Sequence, residues 1–286
     1  MHASDLLWFV FLLTAVAPMV QRRLRDLQRV RFLRAWERGR GTRVIALIHR
    51  QETMSLLGFP LIRYIDIQDS EELLRALRLT AEEVPIDIIL HTPGGLALAA
   101  EQIAHAICRR RAKVTVYVPH YAMSGGTLIA LAADEIVMDP NAVLGSLDPQ
   151  LGNRPAASIV RAVDWKTEHA QDIEDETLIL ADIARKAMLQ LRECVAAVLI
   201  DRVGPEKASA LADTFTHGEW THDHPLNVET LGKLGLPVNT DMPREIYEYM
   251  RLFPQASTGR PSVQYVPLPY RSPLPVPSPQ PKRTGN

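Results

Sequence analysis

Two glycine-rich turns, each placed after a buried strand, constrain the fold of this chain most. Residues 86–90 form a mostly apolar strand and lead into residues 91–95, His-Thr-Pro-Gly-Gly. Residues 113–119 are rich in Val and Tyr and lead into residues 121–127, Tyr-Ala-Met-Ser-Gly-Gly-Thr. A small, apolar stretch of helical character follows each turn. The alternation of strand and helix predicts an α/β fold with a parallel sheet rather than a helical bundle. The predicted helices cover residues 96–108 and 128–133.

Ser124 is the candidate nucleophile within the second turn. A strand-to-helix turn lifts the hydroxyl out of the sheet, and the amides that open the helix point toward developing negative charge. A turn without chemistry is the alternative, because Gly-rich strand–helix turns are common. The carboxyl ends of parallel strands lie along one edge, so the amides of Gly95 and Gly125 are expected to form an oxyanion hole together. Gly94, His91 and His120 flank the turns and are expected at the substrate edge.

These motifs, together with residues 138–145 (Met-Asp-Pro-Asn-Ala-Val-Leu-Gly), resemble the Clp/crotonase superfamily. The chain is most similar to its membrane-linked branch, the serine dehydrogenase proteinase family, which is related to signal peptide peptidase A. The resemblance covers residues 43–267 and implies a spiral of stacked ββα (βαβ) units that hydrolyses peptide bonds. The motifs indicate the fold more specifically than the reaction, because crotonases share the scaffold. A dehydrogenase is not predicted, because no Gly-x-Gly-x-x-Gly fingerprint follows a strand.

The general base is harder to assign. In the Clp protease the catalytic histidine lies on the segment that corresponds to residues 146–150, and here that position carries Asp148. A Ser-His-Asp mechanism would therefore lack its base, and Asp148 is expected only to line the substrate edge. Besides His91 and His120, the other histidines considered lie in predicted loops or helix edges and are expected to be structural. They are His169, His217, His222 and His224.

The resemblance to signal peptide peptidases implies a lysine as the base. A lysine serves as a base only when burial depresses its pKa and makes the neutral amine available. Counting back from the end of a predicted helix at Gly204 favours Lys186, whereas counting forward from Gly152 favours Lys166. Lys186 is preferred, because the end of a core helix is a firmer reference point than a loop.

The helix predicted over residues 175–203 carries apolar residues at helical spacing. It resembles the handle helix that packs subunits together in the Clp protease, which implies a homo-oligomer. The apolar positions are Ala181, Ala184, Met188, Leu191, Val195 and Val198.

The N-terminal segment is predicted to be membrane-bound. Residues 6–20 are almost entirely apolar, and residues 1–21 are interpreted as a single transmembrane anchor, although the run is shorter than the usual 20 or so residues. A buried or interfacial helix is the alternative. The absence of a positive n-region and of a cleavage site argues against a signal peptide. Residues 22–41 are rich in arginine. This pattern predicts a juxtamembrane helix that rests on anionic lipid, with a solvated helix as the alternative. By the positive-inside rule, the catalytic domain is expected in the cytoplasm.

The rest of the chain divides into a peptidase-like domain over residues 42–253 and a Pro-rich tail over residues 254–286, expected to be extended or disordered. Within the domain, Ser70 is the predicted N-cap of a helix. A formal net charge of −1 does not indicate a nucleic-acid-binding protein. Cys108 and Cys194 are expected to be free thiols, and no metal or cofactor is predicted.

Three functions are compatible with these residues. The preferred hypothesis is a membrane-anchored serine peptidase that uses a Ser-Lys dyad and a backbone oxyanion hole. A crotonase-like enzyme acting on acyl-CoA is the second, but it needs no serine at the nucleophile turn. The third is a non-catalytic membrane platform with a relic site.

Overall fold

The computed structural model of the protein describes residues 3–50, 63–152 and 154–253; in the first helix it describes no side chains for residues 3–15 and 18. The predicted Pro-rich tail lies outside the described residues.

The helices are α1 (Ala3–Arg40), α2 (Ile67–Arg78), α3 (Ala97–Cys108), α4 (Gly125–Leu131), α5 (Ala156–Glu168), α6 (Asp175–Val203), α7 (Pro205–Thr216), α8 (Val228–Lys233) and α9 (Arg244–Met250). The strands are β1 (Arg43–Ile48), β2 (Ile86–His91), β3 (Val114–Val118), β4 (Tyr121–Ala122), β5 (Glu135–Met138), β6 (Val143–Leu144), β7 (Gln150–Leu151), β8 (Arg154–Pro155) and β9 (Leu226–Asn227).

The main sheet has the strand order β1-β2-β3-β5, and each neighbouring pair is parallel. Both of its faces are covered, so β2 and β3 are buried at every position. Successive side chains of a strand point to opposite faces. Ile88 and Leu90 accordingly join the large core beneath α3, α4, α6 and α7, whereas Ile89 joins a second core beneath α1 and α9. The predicted α/β fold with a parallel sheet is confirmed.

A second, smaller sheet stands at the carboxyl end of the main one. In it β6 pairs in parallel with β4 and antiparallel with β9. This pairing brings the chain around residue 226 alongside residues 143–144, over 80 positions earlier. The antiparallel hairpin β7–β8 then leads into α5.

Two sequence-based boundaries need correction. The helix after Ser124 begins at Gly125 rather than at residue 128, because the turn is tight enough for both glycines to adopt helical geometry. Asp66, not Ser70, caps α2: its carboxylate accepts from the Asp69 amide while the Asp69 carboxylate accepts from the Asp66 amide. Ser70 instead lies in the first turn and its hydroxyl donates to the carbonyl of Ile67 at 2.9 Å.

The first helix runs unbroken through the predicted anchor and the predicted juxtamembrane segment. Within the part of the chain that the structure describes, no helix is both long and apolar enough to cross a membrane, so the predicted spanning segment is not supported. The last third of α1 packs on the domain through Phe32, Leu33 and Trp36. The Arg29 guanidinium also donates to the carbonyl of Leu252 at 2.7 Å.

Asp87 fixes this end of α1 to the centre of the sheet. Its buried carboxylate, on β2, accepts hydrogen bonds from the Trp36 indole at 2.7 Å and the Thr42 hydroxyl at 2.8 Å. The Arg40 guanidinium donates to the same oxygen at 3.1 Å and to the hydroxyl of Tyr117 at 2.8 Å. Burial raises the pKa of Tyr117 to about 12. A buried charge is tolerated in a sheet only when it is paired and hydrogen-bonded in this way.

Replacing Asp87 with Asn should lower the free energy of unfolding by about 1.5–3 kcal/mol, the usual contribution of hydrogen bonds to a charged group. The variant keeps the size of the side chain but removes its charge. Urea denaturation followed by circular dichroism measures the effect. Glu72→Gln is the control: its partner Arg75 is 59% exposed, so a change within about 0.5 kcal/mol is expected. Equal stability of Asp87→Asn and the wild type would contradict the assignment.

Candidate active site

A short backbone contact brings the two glycine-rich turns together. The Thr92 amide donates to the carbonyl of Tyr121 at 3.2 Å, and the Met123 amide donates to the carbonyl of Thr92 at 3.0 Å. These bonds form a parallel bridge between Thr92 and Ala122. The turn after β2 is thereby held against the turn after β4, as the sequence predicts for neighbouring strands of one sheet.

Ser124 adopts a strained backbone conformation at the start of α4. Its φ of 49° and ψ of −119° lie in a region that residues with a side chain rarely occupy. Such strain persists only where surrounding structure enforces it, and it is typical of nucleophiles at strand-to-helix turns. Gly94 contributes to the enforcement: a Cβ added there would lie 2.7 Å from the Cβ and 3.3 Å from the Oγ of Ser124. Only glycine fits this close to the serine.

Ile65 holds the backbone on the other side of Gly95. The Ile65 amide donates to the carbonyl of Gly94 at 2.7 Å, and the Leu96 amide donates to the carbonyl of Ile65 at 2.8 Å. A Cβ on Gly95 would lie 2.2 Å from the Ile65 oxygen. The Gly94 carbonyl and the Leu96 amide thus face Ile65, and the Gly95 amide between them is directed away from it.

The amides of Gly95 and Gly125 are available as donors. A Cβ on Gly125 would lie 3.8 Å from the Gly95 nitrogen, so the two glycines are neighbours. Among the described residues, neither amide donates to a backbone carbonyl or a side chain. Two unpaired amides beside one serine hydroxyl are the arrangement that stabilises a tetrahedral oxyanion.

A cavity of about 530 Å³ opens over these groups. Gly95, Ser124 and Gly125 form its floor, and α3 and α6 form its walls. The wall residues of the helices are Ala97, Ala100, Glu101, Ala187, Gln190 and Leu191. The remaining side is closed by residues 147–151 and by His222. A mostly apolar cleft of this size suits the side chains of an extended ligand.

Neither predicted lysine reaches the cavity. The Lys186 side chain is 67% exposed and its amine lies 2.5 Å from the Asp182 carboxylate. Ala187, the next residue, faces the cavity, and successive residues of a helix point about 100° apart. The Lys166 amine donates to the carbonyl of Asp172 at 3.2 Å. The structure therefore does not bring either lysine to Ser124, and neither amine has the burial that would make it a base.

Asp148 does line the cavity, as predicted. It is buried, and this burial raises the pKa of its carboxyl. One carboxylate oxygen accepts from the Gln150 side-chain amide at 2.9 Å. The other has no hydrogen-bond partner within the described ranges.

His222, expected to be structural, lies on the cavity wall beside Asp148. Its Nδ1 is 3.2 Å from the backbone carbonyl of Asp148. No local signal marks this histidine, because it is 98 positions from Ser124 and reaches the site only through the pairing of β9 with β6. Sequence reasoning missed it for that reason.

His91 and His120 do not line the cavity. His91 shares the strand face of Ile89 and Asp87, so its ring points away from Ser124. The ring is fully buried and packs at a tilt against Tyr121, with centroids 4.3 Å apart; in the described structure it has no hydrogen-bond partner. Burial, with a smaller effect of the Arg50 charge, lowers the pKa of His91 to about 3.

A parallel sheet, a strained serine at the start of a helix and two unpaired amides beside it are features typical of serine hydrolases. The chain belongs to the family of ClpP-like SDH-type serine proteinases, whose sequence model matches residues 1–276. The resemblance seen in the motifs is thereby confirmed, and the protein is a serine peptidase by family.

Three known proteins illustrate the similarity. The uncharacterized protein MJ1495 of Methanocaldococcus jannaschii is 54% identical over 271 residues, which cover 94% of this chain and 92% of that protein. The 1510-N membrane-bound stomatin-specific protease, solved as a lysine-to-alanine mutant with a substrate peptide, is 21% identical with a TM-score of 0.44 over 64% of this chain and 74% of that chain. ClpP1 from Listeria monocytogenes is 17% identical with a TM-score of 0.44 over 71% of this chain and 92% of that chain.

Gly95→Ala should destabilise the protein by about 3 kcal/mol, the upper end for overpacking, because backbone atoms of Ile65 occupy the position of the new methyl group. Thermal unfolding measures the loss. Gly232→Ala is a matched control, since nothing lies within 4 Å of a Cβ at that position. A Gly95→Ala protein as stable as Gly232→Ala would show that Ile65 does not pack here.

His91→Leu should weaken the dependence of stability on acid. The folded protein keeps His91 neutral down to a pKa of about 3, whereas the unfolded chain takes up the proton below the ordinary value of 6.5. Stability from the neutral ring is thus fully present above pH 6.5 and is lost as the pH falls. Between about pH 8 and about pH 5 the wild type should lose roughly 2 kcal/mol more than the variant. Urea titrations at the two pH values test this, and identical losses would refute it.

Proposed function

We propose that Ser124 is the nucleophile of this peptidase and that the amides of Gly95 and Gly125 hold the oxyanion. The strained backbone of Ser124 supports the nucleophilic role most strongly, because strain of this kind is retained at functional positions. The two unpaired amides supply donors where negative charge develops. The cleft over them offers room for a peptide in an extended conformation.

The dyad implied by the signal peptide peptidases would need a rearrangement. Lys186 would have to leave Asp182 and turn about its helix toward the cavity. Lys166, near the C-terminal end of α5, would have to leave the carbonyl of Asp172. A lysine base therefore requires one of these movements, which mutation of Lys186 and Lys166 tests, and the assignment of the nucleophile does not depend on it.

We propose that this peptidase assembles through α6. Ile179, Ile183 and Leu189 are exposed on this 29-residue helix, while Ala181 and Ala184 face α5. An apolar surface beyond the one that packs on the core favours contact with a second copy.

We also propose that α1 lies on an anionic membrane surface. Val16, Val20, Leu24 and Leu27 are exposed at spacings of four, four and three residues, which places them on one side of the helix. Exposed arginines accompany them along the same stretch. An apolar stripe bordered by arginine is the pattern of an interfacial helix.

Ser124→Ala should abolish covalent labelling by a fluorophosphonate probe and reduce peptide hydrolysis by about 10⁴-fold or more. Ser158→Ala is the control, because that serine is exposed on α5 and outside the cavity. Labelling is read by mass spectrometry and hydrolysis with a quenched peptide library. Retained activity in Ser124→Ala would exclude this nucleophile, and an unlabelled wild type would favour the non-catalytic platform.

A further inference from the structure

We propose that His222 is the general base that activates Ser124. The proposal rests on the assignment of Ser124 as the nucleophile. Ser124 and His222 line the same cavity, and no lysine of the described residues does. The imidazole reaches the site from the loop between α7 and β9, a part of the chain that the lysine mechanism does not use.

The hydrogen bond to Asp148 sets the tautomer of the imidazole. A backbone carbonyl can only accept, so the Nδ1 atom 3.2 Å from it carries the hydrogen. The neutral ring then has its lone pair on Nε2, the nitrogen farther from the backbone of residue 148. Orientation of one ring nitrogen by an acceptor, with the other left as the proton acceptor, is the arrangement that a serine nucleophile requires.

Hydrogen bonds hold the loop that carries His222 against the site. The buried Ser146 hydroxyl lies 3.0 Å from the carbonyl of Thr221 and 3.4 Å from that of His222. Four residues further, Leu226 pairs with Leu144 between β9 and β6. Residues 144–148 thus contact the loop at three levels, and an imidazole held in place is one that can accept a proton without first being ordered.

The other titratable groups on the cavity wall are less suited to the role. Glu101 and Asp148 are carboxylates, which as a class are far weaker bases than imidazole. The Asp148 carboxyl is buried and engaged by Gln150. It is better placed to stabilise the imidazolium, and the attraction between His222 and Asp148 acts in that sense. Asp148 is therefore a positioning residue.

In these roles His222 acts as a base in each attack and as an acid in each collapse. The Nε2 lone pair of His222 takes the proton of Ser124 while Oγ bonds to the peptide carbonyl carbon, and the carbonyl π electrons move to oxygen. The intermediate collapses, the C–N bond breaks, and the leaving amine takes the proton from Nε2. A water then gives a proton to Nε2 and adds to the ester carbon. Collapse breaks the C–Oγ bond, Oγ recovers the proton, and the carboxylic acid product leaves.

The test is the rate of fluorophosphonate labelling of the full chain in four variants: His222→Ala, His222→Gln, His224→Ala and Lys186→Ala. Both His222 variants should react about 10²–10⁴-fold more slowly than the wild type. Gln keeps a donor for the Asp148 carbonyl but has no basic lone pair, so it separates a base from a structural contact. Added imidazole should restore part of the rate in His222→Ala. His224, on the same loop but outside the cavity, should be dispensable.

Three results would overturn the assignment. The first is that both His222 variants are labelled within about threefold of the wild-type rate. The second is that His222→Gln is labelled at the normal rate while the slower labelling of His222→Ala is not restored by imidazole. The third is that labelling of Lys186→Ala slows by a comparable factor and is restored by an added primary amine. Labelling that persists in Ser124→Ala is a different outcome: it removes the nucleophile, and the base assignment falls with it.

Discussion

The site depends on the close approach of three backbone segments. The bridge between Thr92 and Ala122 fixes one side of the serine turn, and the bridge between Ile65 and Gly95 fixes the other. A Cβ added at Gly94, Gly95 or Gly126 would lie less than 3 Å from a neighbouring atom, so little room remains. The requirement for glycine at these positions is thus steric, because the neighbouring segments leave no room for a Cβ.

The same backbone bonds connect the site to the rest of the fold. The Thr127 hydroxyl lies within 3.0 Å of the carbonyls of Ala122 and Gly145, and it accepts from the Gly145 amide at 2.9 Å. One buried side chain therefore joins α4 to the segment that leads into Asp148. Through β6 and β9 that segment positions the loop of His222. Ser124 follows β4 and His222 precedes β9, so both lie beside the same small sheet and are connected through this hub.

Local sequence predicted the helices and strands well, but it did not predict contacts between residues distant in sequence. The periodicity of apolar residues indicated the strands and the long helix over residues 175–203, and the structure has them at nearly the same limits. The neighbourhood of Gly95, Ser124 and Gly125 followed from parallel strands sharing an edge. Ile65 and His222 could not be predicted, because each reaches the site through pairing with a distant strand or turn. Helical phase separates Lys186 from the cavity: the next residue, Ala187, lines it, and a rotation of about 100° directs the Lys186 side chain to solvent.

The continuous first helix has a mechanical consequence. Its last third is fixed to β2 through Asp87, and β2 ends in the turn that holds Gly95. The stretch from Ala3 to Arg29 would extend roughly 40 Å at the rise of an α-helix. Whatever binds the first turns is held at that separation by a stiff arm instead of a flexible tether. Because the arm joins the sheet at a buried carboxylate, the direction of its first turns relative to the cleft is set by the axis of a single helix.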